Sequence, residues 1–164
     1  MEKNQHCQCG LKPEITSKVI EGLQLYLANL GVLQIKLHNI HWNVVDSGFF
    51  ALHAKTQELY ENVGEKMDQT AERIKMLGEY PLASLQDFLD AAAIEELPSE
   101  DISSLCAAEI IIEDFCQLLK LVRKVDYITK ETLDECTSSL LAETMCFLEK
   151  NIWFFNAYIT RCSQ

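Results

Sequence analysis

The stretch HNIHWNVVDSGFFALH, residues 38–53, decides how this chain folds. It joins two helical patterns through Asp46, Ser47 and Gly48, residue types that turns favour. Either Asp46 or Ser47 is expected to cap the helix that follows. His41 stands six residues before Ser47, and His53 six after it. In an antiparallel helical hairpin, positions equidistant from the turn lie level, so the spacing predicts that His41 and His53 approach each other. His38 lies one turn below His41 and reads as a structural neighbour of the pair. Two readings stay open here: His41 and Trp42 close the end of a bundle, or the imidazoles bind a metal ion.

Working outward, apolar residues recur at helical spacing on both sides of the turn. A first helix is expected over 14–44, with Ile15, Val19, Leu23, Leu27, Leu30, Leu33, Leu37 and Ile40 inward. Pro13 precedes it, where a helix accepts proline, and Gly31 interrupts it. A second helix is expected over 49–77, with Leu52, Leu59, Val63, Met67, Ile74 and Leu77 inward. Gly78 and Pro81 end it. The connection over 78–98 is long and contains a short helix that Ser84 can cap, carrying Leu85, Phe88 and Leu89. A third helix is expected over 99–125, capped by Ser99 or Asp101. A fourth is expected over 130–159, with Leu133, Leu140, Leu141, Leu148, Ile152, Phe155 and Tyr158 inward. The pattern predicts an all-α protein: a four-helix bundle with a short extra helix in the long connection between the second and third helices. Residues 14–164 form one domain, and residues 1–13 are expected to be a flexible tail.

Composition narrows the function. The 164 residues carry a formal charge of −11, which argues against non-specific binding to nucleic acid. The first ten residues, MEKNQHCQCG, show no apolar core of a secretory signal. No apolar run approaches a membrane span, so a cytoplasmic protein is expected. Seven cysteines then read as reduced thiols. Cys106, Cys116, Cys136 and Cys146 fall within helical patterns and are expected to be buried as small hydrophobes. His6, Cys7 and Cys9 form a candidate secondary metal or redox group, which needs a ligand from elsewhere to close a four-ligand site.

The second helix carries an acidic stripe. Glu58, Glu61, Glu65, Asp68 and Glu72 recur at spacings of three and four. The stripe is either a solvated face or a surface that a cation or a basic partner neutralises, since like charges one turn apart repel. Lys66, Arg73 and Lys75 offer it partial relief. Asp68 and Glu72 can grip one ion together, and imidazole plus carboxylate suits iron, zinc or manganese. His53 and Asp68 nevertheless lie fifteen residues apart on one helix, roughly 22 Å at 1.5 Å per residue. If the four residues share a site, the acids come from another subunit. A twofold interface would then build two identical sites. No histidine has a glutamate three places before it, which argues against an intrachain di-iron centre of the Glu-x-x-His type.

HWNV at 41–44, GFFALH at 48–53, ELY at 58–60 and MDQTAER at 67–73 together resemble the Dps family of mini-ferritins. YPLASLQDFLDAA and LEKNIWFFNAYI resemble that family's short helix and last helix, so the likeness runs from about residue 14 onward. The resemblance implies a homo-oligomer, a dodecameric cage with ferroxidase sites at twofold dimer interfaces. It implies that His41 and His53 of one subunit, with Asp68 and Glu72 of the next, bind iron, with Trp42 beside them. Fe(II) would be oxidised, preferably by hydrogen peroxide, and Fe(III) stored as mineral, protecting the cell from oxidative damage. Zinc is expected to compete. Glu58, Glu61 and Glu65 are the candidates for mineral nucleation, because Ala54 and Gln57 stand where relatives often carry acids. Ser139 replaces the pore aspartate of the family pattern, leaving Asp134, Glu135 and Glu143 as candidates for the pore through which iron passes. Many relatives bind DNA through lysine-rich tails. A DNA-compacting protein with secondary iron chemistry is thus the alternative, and the acidic charge weighs against it.

Overall fold

A computed structural model describes residues 10–11 and 13–162. The chain runs α1 (Pro13–Asn43), β1 (Val44–Val45), α2 (Phe49–Met76), α3 (Leu85–Ala91), β2 (Ile102–Ser103), α4 (Ser104–Thr132) and α5 (Glu135–Cys162). The helices α1 and α2 form one hairpin, and α4 and α5 form another; α1 joins the two by packing on α4. Their shared core contains Leu23, Leu27, Leu33, Leu37, Leu59, Ile74, Ile111, Phe115, Leu118 and Leu141. Each such side chain, fully buried, stabilises the fold by roughly 1.5–3 kcal/mol. This is the expected all-α bundle with a short helix in its long crossover.

That short helix explains the glycine that interrupts α1. Ser84 caps α3 by accepting from the Asp87 amide at 3.1 Å. The Phe88 ring then seats against Gly31, where an added Cβ would come within 2.4 Å of the ring. Asn29 fastens the end of α3 by accepting from the amides of Ala93 and Ile94. Gly31 is therefore a docking point for α3.

The boundaries of the second hairpin differ from those expected. Helix α4 begins at Ser104, and its cap is Ser103, which accepts from the Cys106 amide, rather than Ser99 or Asp101. The preceding Ile102–Ser103 is extended because it pairs with Val44–Val45 in a short parallel ladder. The same helix runs past 125 to Thr132, burying Val125, Asp126 and Thr129. The corner is Leu133, which adopts a left-handed conformation (φ 56°) and is exposed instead of joining the core. Only then does α5 begin, at Glu135.

The expected burial of the cysteines fails. Cys106, Cys136 and Cys146 are exposed and Cys116 is half-buried. They fall between the positions that face the core, such as Ala107 and Ile111 on α4, or Thr137, Leu141, Thr144 and Leu148 on α5. His6, Cys7 and Cys9 lie outside the described residues.

Candidate metal half-site

The turn between α1 and α2 is held from two sides. Asp46 occupies a left-handed conformation (φ 84°). One carboxylate oxygen accepts from the Gly48 amide at 2.7 Å, the other from the Ser104 amide at 2.8 Å. Asp46 thus ties the hairpin tip to the start of α4. The N-terminal boundary of α2 falls at Gly48 with no side-chain cap, so neither Asp46 nor Ser47 serves it in that way. The amides of Gly48 and Ser104, in that order, hold the Asp46 carboxyl below its usual range. Gly48 is needed because an added Cβ would come within 2.4 Å of Ser104 and 2.2 Å of the Tyr158 hydroxyl.

This anchoring sets His41 and His53 level, as the spacing predicts. Their rings stack at 3.7 Å between centroids. Each ring bonds to the other's backbone: His41 Nδ1 lies 2.7 Å from the His53 carbonyl, and His53 Nδ1 lies 2.8 Å from the His41 carbonyl. A carbonyl only accepts, so both Nδ1 atoms donate. In the neutral imidazole each Nε2 then keeps a lone pair, the form a metal ion requires. Burial pushes the His41 imidazole below its ordinary pKa, with the His53 carbonyl opposing and the nearby His53 and His38 assisting. Neutral His41 is the favoured state.

The neighbours support this arrangement. Phe49 stacks on His53 at 5.0 Å, and the rings of Tyr60 and His41 meet nearly perpendicular at 5.4 Å. His38 stacks on Tyr60 at 3.9 Å while its Nδ1 donates to the Gln34 carbonyl. It therefore supports the pair from behind, and Trp42 projects beside it, 68% exposed. Thr56 was not evident from sequence. Its hydroxyl is buried 3.3 Å from His41 Nδ1. The only signal was its place one turn after His53.

The carboxylates stand elsewhere. Asp68 and Glu72 are exposed, on the same helix as His53 and about fifteen residues along it for Asp68, roughly 22 Å. Among the described residues, no three His, Cys, Asp or Glu side chains gather closely enough to hold a metal ion. The chain brings two expected ligands together and leaves the other two apart.

Glu58, Glu61 and Glu65 are exposed as well. Lys55 pairs with Glu58 at 2.8 Å, and Gln57 and Gln69 donate to Glu61 and Glu65. The expected basic relief does not come from Arg73, which turns inward to Asp134 at 2.7 Å and Thr137 at 2.8 Å. Lys75 lies over the Tyr80 ring and Lys66 over Phe147. Asp134 is 2% exposed, its carboxylate committed to Arg73 and to the amide and hydroxyl of Thr137. It is therefore unavailable to line a pore, because burial of the α4–α5 corner requires that charge to be paired. Glu135 and Glu143 remain exposed.

Comparison with known proteins defines the class first. Residues 20–164 match the ferritin-like domain family. The chain is 34% identical over 144 residues to the DNA protection during starvation protein of Listeria innocua, covering 85% of this chain and 90% of that protein. It is 34% identical over 147 residues to DNA protection during starvation protein 2 of Bacillus anthracis, covering 90% and 100%. Among solved structures, the Dps protein of Vibrio cholerae O1 superposes with a TM-score of 0.87 at 33% identity, covering 91% of this chain and 93% of that one. That protein is described as a member of a broad superfamily of ferritin-like diiron-carboxylate proteins. The chain belongs to the Dps family of mini-ferritins. No helix among the described residues is long and apolar enough to cross a membrane.

Proposed function

We propose that the protein is a ferroxidase that binds Fe(II) between His41 and His53 of one subunit and Asp68 and Glu72 of another, within a dodecameric cage. The observation that carries this reading is the division of the ligands. Where the end of α1 meets the start of α2, His41 and His53 keep their Nε2 lone pairs free, and the exposed acids lie some turns along α2. Two copies of α2 packed antiparallel across a twofold axis would bring each pair to the other.

The donor set fits the chemistry. Carboxylates stabilise Fe(III) over Fe(II), and neutral imidazoles complete the ligation without adding charge. Four protein ligands leave positions open for water or oxidant. In the reaction two Fe(II) each lose one electron, and one hydrogen peroxide takes both together with two protons, its O–O bond breaking to give two waters. Hydrolysis of Fe(III) then deposits oxyhydroxide and releases protons. Glu58, Glu61 and Glu65 nucleate it in this reading, and Glu135 and Glu143 draw cations to a pore; all five are exposed. Zinc suits the same four donors and competes. Acid weakens binding by protonating the imidazoles. The net charge of −11 supports iron storage over direct DNA compaction, and protection from peroxide follows from consuming it together with free Fe(II) in the cytoplasm.

Anaerobic Fe(II) loading followed by peroxide tests the reading. The wild type is expected to oxidise iron stoichiometrically and keep it in solution as a mineral core. The His41→Ala/Asp68→Ala variant is expected to do neither. Oxidation by that variant at the wild-type rate would show the assigned site to be wrong.

A further inference from the structure

We propose that the exposed face of α4 is an interface between copies of this chain, on which a second α4 docks antiparallel across a twofold axis. The inference is independent of the metal-site reading, because it uses none of the proposed ligands.

The outward residues of α4 form one stripe at spacings of three and four: Glu109, Glu113, Gln117, Lys120, Lys124 and Tyr127, all exposed. The charges are sorted along it, acids in the first half and bases in the second. Like charges are therefore neighbours one turn apart, Glu109 with Glu113 and Lys120 with Lys124, and each such pair is mildly destabilising. Acids and bases stand too far apart to relieve each other. Glu113 and Lys120 are separated by two turns, roughly 10.5 Å. Among the described residues, none of these acids and lysines makes an ion pair. Arg123, beside the stripe, is taken by Glu149 at 2.6 Å.

Sorting of this sense suits the helix dipole, but the dipole acts within the first and last turns. None of these charges stands there, since α4 spans Ser104–Thr132. A second copy accounts for the order. Glu113 and Lys120 lie equally far on either side of the midpoint between Cys116 and Gln117, and so do Glu109 and Lys124. An antiparallel α4 turned about that midpoint sets the acids of each copy opposite the bases of the other. A residue near a twofold axis meets its own likeness, so a charge there would repel itself. The stripe has the neutral Gln117 at that place. Tyr127, 66% exposed, extends the contact at either end. The face is also free to pair while α2 does so elsewhere. Helix α4 packs on α1 and α5, and α2 reaches those same two helices from the other side.

Sedimentation velocity of the full chain tests this. At about 0.01 M salt the wild type is expected to form larger species than at about 1 M, where charges are screened beyond roughly 3 Å. Glu109→Lys/Glu113→Lys and Lys120→Glu/Lys124→Glu, each alone, should keep the high-salt size at low salt. Mixed in equal amounts, the two should regain the larger species, because an all-basic face then meets an all-acidic one. That recovery separates loss of the contact from loss of the fold. A carbodiimide joins a carboxylate only to an ammonium already touching it. In the wild type it should couple Glu113 to Lys120 between isotopically light and heavy copies. Wild-type protein of one size at both salts, or a mixture no larger than its components, would overturn the proposal. So would a size shift that needs added heparin and is lost in Lys120→Glu/Lys124→Glu, since the basic half would then serve an acidic partner.

Discussion

The corner where α1 meets α2 and the far, acidic end of α2 carry the two halves of the proposed ligand set, and they are built in opposite ways. At the histidine end, every Nδ1 of the pair is bonded within the chain, the rings stack, and Asp46 ties the turn to α4. At the acidic end, Asp68 and Glu72 are exposed. One residue beyond Glu72, Arg73 is buried in an ion pair, so the helix separates a committed charge from an exposed one within a single step. The lesson is that this chain spends its own hydrogen bonds on the geometry of the two neutral imidazoles and leaves the carboxylates proposed to complete their site on the surface.

The largest effect is expected from separating the halves. His41→Ala and Asp68→Ala homo-oligomers should each lose peroxide-driven Fe(II) oxidation. Dissociating and co-assembling the two in equal amounts should recover roughly one quarter of the sites, because half the dimers are mixed and one of their two sites is intact. A rapid-mix oxidation assay reads this directly. No recovery from a verified mixed assembly would mean that the ligands are not shared.

Next comes the inward-facing charge. Replacing Arg73 with Ala strands Asp134 in the core, and breaking a buried pair in this way costs about 3–5 kcal/mol. Urea unfolding should show it as a lower midpoint, and Glu72→Ala, one position earlier, should show little change. Equal losses from both would erase the contrast between the two faces.

The turn clamp should be smaller and dependent on pH. Because the native carboxyl of Asp46 titrates below its ordinary value of 3.8, its stabilising contribution is fully present above that value and is lost as pH falls through the lowered one. Asp46→Asn should therefore melt below wild type at neutral pH, with the gap closing in strong acid. Thermal melts across that range test the sign.

The smallest effect belongs to the stripe itself. Glu65→Gln should stabilise the metal-free protein by about 0.2–0.5 kcal/mol, by relieving repulsion from its neighbours at Glu61 and Asp68. A clear loss of stability would show that the attraction between Glu65 and Lys66 outweighs that repulsion.

Much of this was legible in sequence, for physical reasons. Helical periodicity marks the inward faces, and the symmetry of the turn places His41 opposite His53. The length of α2 separates His53 from Asp68 without any coordinates. What escaped depends on pairings distant in sequence. A two-residue strand has no periodicity to read, so the Val44–Ile102 ladder and the true start of α4 were hidden. Asp46 looked like a local cap because turn chemistry is local, yet its second partner is Ser104. Asp134 looked like a surface acid because nothing nearby in sequence announces Arg73 as its partner. Cysteine is small and weakly patterned, so a helical segment does not reveal on which side its thiols lie.

The Asp46 clamp also has a consequence for timing. Its second anchor, Ser104, lies 58 residues downstream. As the chain leaves the ribosome, both histidines emerge well before the amide that secures their turn. A half-made chain holds the hairpin by its local bonds alone; the clamp closes only once the crossover has folded and α4 has begun. The start of α4 is thus the step that sets the histidine end, and the ladder at Val44 and Val45 is the latch.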